Sequence, residues 1–388
     1  MPFTGIVFFY ACKQRYEPPA IKDRLNYLVV DGFLNNSNDS TIIHLSRTTE
    51  LSEDYTVDRN GEFNAHMTVE DEAGNTVYTF VPVNNKGLYT IPGMNLDENK
   101  KYRLRIHTTD GNEYVSDDIP VKKNPPIDSI SWLRADNGVT IYSNTHDAEN
   151  NTKYYRWEYS ETWDYSTYYF SEIKYVVDTP APDYVKIRDQ NELINHCWKT
   201  LNSKNILLAS TVKLSADIIS LNPVRFIPLN SFELTFTYSI LVKQYALTRE
   251  AFEYYELLKK FTEQFGSIFD SQPSQLGGNI HCLTNKDASV IGYITATNLQ
   301  SKRIYITNDQ VAPWKEDVYC EPVHIAPPDS FRYYFSSLLP DGQNPPRRTP
   351  LEAIYNSLGE MTGIKSGYNI CSDCLSRGGI NSKPDFWP

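Results

Sequence analysis

The chain has 388 residues, 40% of them hydrophobic, and a formal net charge of -11. That length exceeds one typical domain and points to two. The acidic balance excludes a nucleic-acid binder working through a basic face, and no apolar run approaches the roughly 20 residues of a membrane-spanning helix.

The first element is an apolar run, Gly5 to Ala11, that ends in a small residue and meets Cys12. The chain then turns polar at Lys13-Gln14-Arg15. A small residue before a cysteine is the pattern that signal peptidase cuts before the sulfur takes a lipid. The expectation is a signal peptide over 1–11, lipidation at Cys12 and a tether over 12–24. A full signal runs about 15–30 residues and carries Lys or Arg before its apolar run, which Met1 to Ala11 lack, so the true start is expected further upstream.

Residues 25–122 read as a run of short strands. Ala65, Met67 and Val69 alternate with His66, Thr68 and Glu70; Tyr102, Leu104 and Ile106 alternate with Arg103, Arg105 and His107. A period of two gives one buried and one wet face. Asn60-Gly61, Ala73-Gly74-Asn75, Asn84-Asn85-Lys86-Gly87 and Asp110-Gly111-Asn112 supply the positive φ that tight hairpins need. About seven such strands predict an immunoglobulin-like or transthyretin-like β-sandwich.

Lys122-Lys123-Asn124-Pro125-Pro126 reads as a stiff linker. A larger β-rich domain is expected over 127–388. Its strands begin at Ser129–Leu133, Val139–Thr145 and Lys153–Tyr159, and a long strand or strand pair spans Phe232–Tyr245. One amphipathic helix is predicted over 249–265. Thr248 is its N-cap, Glu250 sits in the first turn, and Gly266 closes it. Its aromatic stripe, Tyr254, Tyr255, Phe261 and Phe265, reads as core packing. Ser289–Thr297 and Arg303–Thr307 read as a hairpin. Residues 308–388 read as a loop-rich tail that wraps over the second domain.

Tyrosine is over-used, at 28 against 17 Phe and 4 Met, and it concentrates in Tyr154–Tyr165. A tyrosine buries an apolar ring while keeping a polar tip, so it suits cores and binding surfaces alike. Alternation places Tyr155, Trp157 and Tyr159 on one face of this strand. Trp157, Trp163, Tyr165 and Tyr168 are the candidate ligand or partner contacts, weighed against a core role. Glu158, Glu161 and Asp164 have the chemistry of glycosidase carboxylates, but beside aromatics they serve more often as hydrogen-bond partners of Tyr and Arg. The seven histidines are scattered, and no nucleophile elbow, phosphate loop or dinucleotide fingerprint occurs. Asp147-Ala148-Glu149-Asn150-Asn151 offers calcium ligands but reads better as a polar turn. Neither a metal nor a cofactor is expected, nor a catalytic residue.

Besides Cys12 there are Cys197, Cys282, Cys320, Cys371 and Cys374. All five are disulfide candidates in an exported protein, and an odd number leaves one over. Cys371-Ser372-Asp373-Cys374 reads as a structural disulfide pinning the tail. The glycines that follow make poor helix material for a redox motif, and no second pair completes a zinc site.

Taken in order, several stretches carry a resemblance: Tyr27–Phe33, Lys101–Ile106, Pro125–Trp132, Tyr154–Tyr159, Ser239–Tyr245, and Cys371–Cys374 through Lys383–Trp387. The chain resembles the Bacteroidota lipoproteins grouped as domain of unknown function 4249. The resemblance implies lipidation at Cys12 and a closing pair at Cys371 and Cys374. It also implies an outer-membrane, surface-exposed location beside TonB-dependent transporters of the SusC type and their SusD-like partners. The expected role is non-catalytic binding or assembly, with a glycan or peptide as the possible ligand. A surface glycan hydrolase or peptidase and a purely structural protein-binding subunit are the alternatives.

Overall fold

The computed structural model describes residues 26–49, 61–83, 86–177, 184–263, 277–285, 288–314, 319–335 and 348–388. The signal at 1–11, Cys12 and the tether at 12–24 lie outside them, as do Asn60, Asn84, Asn85, Phe265 and Gly266. The chain is mainly β.

The alternation seen in the sequence decides the first unit. Lys101–His107 buries Tyr102, Leu104 and Ile106 and turns His107 to solvent. It pairs antiparallel with His66–Asp71, which buries Met67 and Val69 beside them. Thr41–Arg47, in a second sheet, buries Ile43 and Leu45 into the same cluster. A fully buried aliphatic side chain contributes about 1.5–3 kcal/mol, so these alternating rows hold the two sheets face to face. The turn at Asp71–Asn75 forms as its residues suggest: the Asp71 carboxylate accepts the Ala73 and Asn75 N–H groups, and Gly74 takes φ 83°. Gly87 has φ 69°, and a Cβ there would lie 2.2 Å from the Leu45 carbonyl oxygen.

The first unit is not contiguous. Residues 277–297, expected in the second domain, return to it. Ile280–Cys282 pairs with Glu113–Ser116, Val290–Ile291 runs parallel to Leu28–Gly32, and Ala296–Thr297 lies parallel between Leu34–Asn35 and Ile119–Lys122. Ser289–Thr297 therefore forms no hairpin with Arg303–Thr307, which belongs to Gln300–Thr307 in another sheet. The pattern of apolar residues was legible there, but periodicity reports a buried face and says nothing of the partner strand. Parallel pairing always takes its partner from far along the chain.

The chain thus crosses between units near Asn124 and again near Asn298, and the two crossings hold each other. The Asn124 N–H donates to Asn298 Oδ1 at 2.7 Å, and Asn298 Nδ2 donates back to the Asn124 carbonyl at 3.2 Å. Asn124 Nδ2 reaches the Gln244 carbonyl at 2.6 Å. Gln244, fully buried, donates through Nε2 to Pro125 O and accepts from Trp157 Nε1. The segment read as a linker is a buried polar knot, with Asn124 and Pro125 both inside. Pro125 still fits, because it has no N–H to leave unpaired in a dry junction, while Lys123 and Pro126 on either side of the knot are exposed.

The second unit opposes a three-stranded sheet to a larger one. Ile127–Ala135, Gly138–His146 and Ile218–Pro228 form the first. His196–Asn202, the long strand Tyr154–Ser166, Thr237–Ala246 and Gln300–Thr307 form the second. Val139, Ile141 and Ile227 meet Trp157, Tyr165, Tyr238 and Ile240 in one core. The predicted helix is Arg249–Glu263, with Thr248 Oγ1 accepting the Ala251 N–H. The first turns of its stripe pack as core: Tyr254 is buried, Tyr255 clusters with Ala251, Phe252, Tyr245, Leu247, Tyr154 and Phe33, and Phe261 is half-buried. Arg156 lies between the Tyr245 and Tyr255 rings, 4.4 and 4.6 Å from their centroids, so the helix is joined to the long strand by a cation–π sandwich.

The tail departs from expectation. His324–Ala326, Met361–Gly367 and Thr349–Tyr355 form a sheet. With the hairpin Ile173–Val176 and Tyr184–Ile187 nearby, it shares a third small core of Ile173, Ala326, Phe331, Phe335 and Ile364. The two ends of the tail pack on the second unit: Val311 and Trp314 enter its core, Ile380 bridges to Trp198, and Phe386 stacks on Arg303.

Gln244→Leu would strand Trp157 Nε1 and Asn124 Oδ1, which accepts from Gln244 Nε2 at 3.2 Å, in a dry junction. It should lower stability to urea by about 2–4 kcal/mol, whereas Lys243→Ala, one residue away and half-buried, should change it by less than about 0.5 kcal/mol.

Candidate functional site

The aromatic strand is where side-chain geometry first bears on function. Trp157, Trp163 and Tyr165 were candidates for contact with a ligand or partner, and the structure puts all three in the core. Trp157 and Tyr165 are fully buried and Trp163 is 4% exposed. The period of two puts all three on one face of the strand, and that face is covered along its length. Trp157 packs under the three-stranded sheet, and Tyr165 lies beneath the tail, donating to the Cys374 carbonyl at 2.7 Å. Tyr168, past the end of the strand, is 73% exposed and stacks edge-on with Tyr169. Of the four candidates it alone presents its ring to solvent.

Two of the neighbouring carboxylates, Glu158 and Glu161, are committed to Tyr and Arg, as their surroundings suggested; Asp164 is not. Glu158 accepts from Tyr245 at 2.8 Å and pairs with Arg156 at 2.8 Å. Glu161, buried, accepts from Arg225 and Tyr238, both at 2.8 Å. Burial and the Glu161 charge together push the Tyr238 phenol well above its usual range. Asp164 accepts the Thr237 N–H at 2.8 Å and sits 3.3 Å from His196. The Asp147 turn is likewise self-satisfied: its carboxylate accepts from the Glu149, Asn151 and Thr152 N–H groups. Among the described residues no group of His, Cys, Asp and Glu is arranged to hold a metal ion.

The cysteines overturn one expectation. Cys371 and Cys374 do not pair with each other. Cys374 is bonded to Cys197 and Cys371 to Cys320, leaving Cys282 as a buried free thiol in the first unit. Local backbone explains this. Cys371 lies in the helical turn Asn369–Ser372, and Cys374 opens a second turn after Asp373, whose extended backbone (φ -135°, ψ 105°) separates them. Each sulfur then meets a different neighbour. Cys197 is in the strand His196–Asn202, and Cys320 precedes the third unit. Gly378 takes φ 76° to end the second turn, and a Cβ on Gly379 would lie 2.2 Å from the Tyr165 hydroxyl. The glycines that make poor helix let the tail lie directly on the strand.

The two cross-links frame a cavity of about 400 Å³. Its walls come from the third unit, from Arg188 and Ile194, and from the tail residues Asn369, Asp373, Leu375 and Ser376. Three cations line it, Lys174, Arg188 and Arg348, against a single carboxylate, Asp373. Arg188 donates to Ser171 Oγ at 3.1 Å and to the Glu192 carbonyl at 3.3 Å, and burial pulls its pKa below the ordinary arginine value. Burial pushes the Asp373 carboxyl up, opposed by the Leu375 and Ser376 N–H groups and by Arg188. Lys174 is ion-paired with Glu192. None of these residues was singled out in the sequence. The basic ones follow no spacing rule, and only Asp373, enclosed by the two cysteines, carried any signal.

A mainly β body with a covalently pinned tail and a cavity at the pin is therefore the class of protein described by the geometry. The chain belongs to the family described as domain of unknown function DUF4249, whose model matches residues 13–303. The match covers the first two units and the hairpin of Ile173–Val176 and Tyr184–Ile187, ends within the strand Gln300–Thr307, and does not reach the sheet of His324–Ala326, Thr349–Tyr355 and Met361–Gly367 or the cross-linked tail. No curated protein matches the chain.

Burial separates the aromatic roles by experiment. Trp163→Ala should cost about 3–5 kcal/mol of unfolding free energy, the range for truncating a buried aromatic, while Tyr168→Ala should stay within about 0.5 kcal/mol of wild type. Removing Cys197 by substitution with Ala should cost about 2–5 kcal/mol, read from chemical denaturation of the oxidised proteins.

Proposed function

We propose that this protein is an exported lipoprotein held to the outer membrane through Cys12, with its β body on the cell surface. There it serves as a non-catalytic binding or assembly subunit beside a SusC-type TonB-dependent transporter and its SusD-like partner. The observation that carries this reading is the pair of disulfides, Cys197–Cys374 and Cys320–Cys371, in a chain with Cys12 behind an apolar run. Disulfides persist in oxidising compartments and are rare in the cytosol, so the body suits an exported protein. Among the described residues no helix is long and apolar enough to cross a membrane, which leaves the thiol at Cys12 as the proposed anchor. One acyl chain binds reversibly; two or more give stable anchoring at about 0.8 kcal/mol per buried CH₂. Family membership supports the reading only through the resemblance to such lipoproteins, and the engagement of Glu158 and Glu161 by Tyr and Arg, and of Asp164 by the Thr237 N–H and His196, supports binding over hydrolysis.

In the native host, wild-type protein should fractionate with membranes and incorporate labelled palmitate, and Cys12→Ala should be soluble and unlabelled. Chemical cross-linking on intact cells should recover a TonB-dependent transporter with the wild type. Membrane retention of Cys12→Ala without label would contradict the anchor, and hydrolysis of a glycan or peptide by the pure protein would contradict the non-catalytic role.

A further inference from the structure

We infer that the cavity beneath the cross-linked tail is a binding site for a small organic anion, one carboxylate or phosphate group on an apolar body. This goes beyond the proposed surface role and does not depend on it. Arg348 is the residue on this wall that calls for a ligand. Its guanidinium carbon lies 4.1 Å from the centroid of the Tyr368 ring, which fixes its plane. Arg348 lines the cavity, and among the described residues no hydrogen bond or ion pair takes up its guanidinium; Nη1 itself is buried against protein, so the remaining N–H groups of the fork are the ones that meet the open space. A buried guanidinium N–H without an acceptor is costly, and a planar fork of N–H donors matches the oxygens of a carboxylate or a phosphate.

The other cations are more committed. Lys174 is ion-paired with Glu192, and Arg188 is hydrogen-bonded to Ser171 and Glu192 and opposed electrostatically by Asp373. They make the cavity positive on a chain whose net charge is -11, while Arg348 is the donor that no carboxylate answers among the described residues. The rest of the wall decides the body of the ligand. Ile194, Phe335, Pro350 and Leu375 face the same space, so a bare inorganic ion would leave apolar wall uncovered. The volume, about 400 Å³, falls in the range of small-molecule sites. Asn369, Asp373, Leu375 and Ser376 belong to the stretch held by Cys371 and Cys374, so the cross-links keep this wall in place.

The test uses the oxidised full-length chain carrying Cys12→Ser, so that anchoring plays no part. Calorimetric titration is run with benzoate, phenyl phosphate, inorganic phosphate and the neutral benzyl alcohol. Saturable one-to-one binding of benzoate or phenyl phosphate is expected, with inorganic phosphate and benzyl alcohol weaker. Which of the first two binds more tightly separates the carboxylate from the phosphate source. Arg348→Gln should weaken that binding by about tenfold or more without changing the melting temperature. Should that variant not fold, Arg348→Lys, which keeps the charge and loses the planar fork, must also weaken it. Absence of saturable binding by both organic anions at about 10 mM, or equal affinity in a folded Arg348 variant, overturns the inference. Binding of benzyl alcohol as tight as that of the anions overturns it too.

Discussion

Everything at the far end of this molecule depends on two covalent bonds made by residues three apart. Hydrophobic burial does not hold the tail down. Ile370, Leu375 and Ile380 are 58%, 41% and 55% exposed, whereas Cys371 and Cys374 are buried. The cysteines reach in opposite directions, one to the strand His196–Asn202 and one to the approach of the third unit, so the tail is stretched between two bodies. The loops they close span 177 and 51 residues, long enough for each bond to restrict the unfolded chain substantially. Hydrogen bonds then complete the seating: Tyr165 to the Cys374 carbonyl, Lys199 to the Arg377 carbonyl, and paired backbone bonds between Trp198 and Ile380.

A second constraint works at the opposite end of the second unit. Two strands of chain pass between the sheets of the first and second units, and buried amides tie them together. Asn124, Asn298 and Gln244 satisfy one another and the Trp157 indole, so the crossing carries polar groups into the interior without leaving them unpaired. The consequence reaches the aromatic strand. Trp157 is fixed at one end by the amide knot and Tyr165 at the other by the tail, which is why a strand that looks like a binding platform is a structural spine.

Much of the local structure was legible in the residues. Met67, Val69, Leu104 and Ile106 announce a half-buried sheet because alternation follows directly from the pleat, and Thr248 with the apolar stripe after it announces the helix. What the chain does over long distances was not legible. Nothing in Val290-Ile291 or Ala296-Thr297 names Leu28, Leu34 or Val121 as partner, and nothing in the spacing of Cys371 and Cys374 reveals that a turn points them apart. The aromatic residues of Tyr154–Tyr165 were ambiguous because a buried tyrosine and a binding tyrosine differ only in what covers them. The cavity was invisible for the same reason: Lys174, Arg188 and Arg348 are brought together by folding from separate segments.

The account rests on a chain that is oxidised where it works, with its tail cross-linked to two different bodies. Non-reducing peptide mapping by mass spectrometry, on protein taken from the native host with free thiols blocked during lysis, tests this most directly. The account predicts peptides joining Cys197 to Cys374 and Cys320 to Cys371, with Cys282 recovered as the blocked thiol. A Cys371–Cys374 peptide, or all five cysteines recovered as blocked thiols, would contradict it.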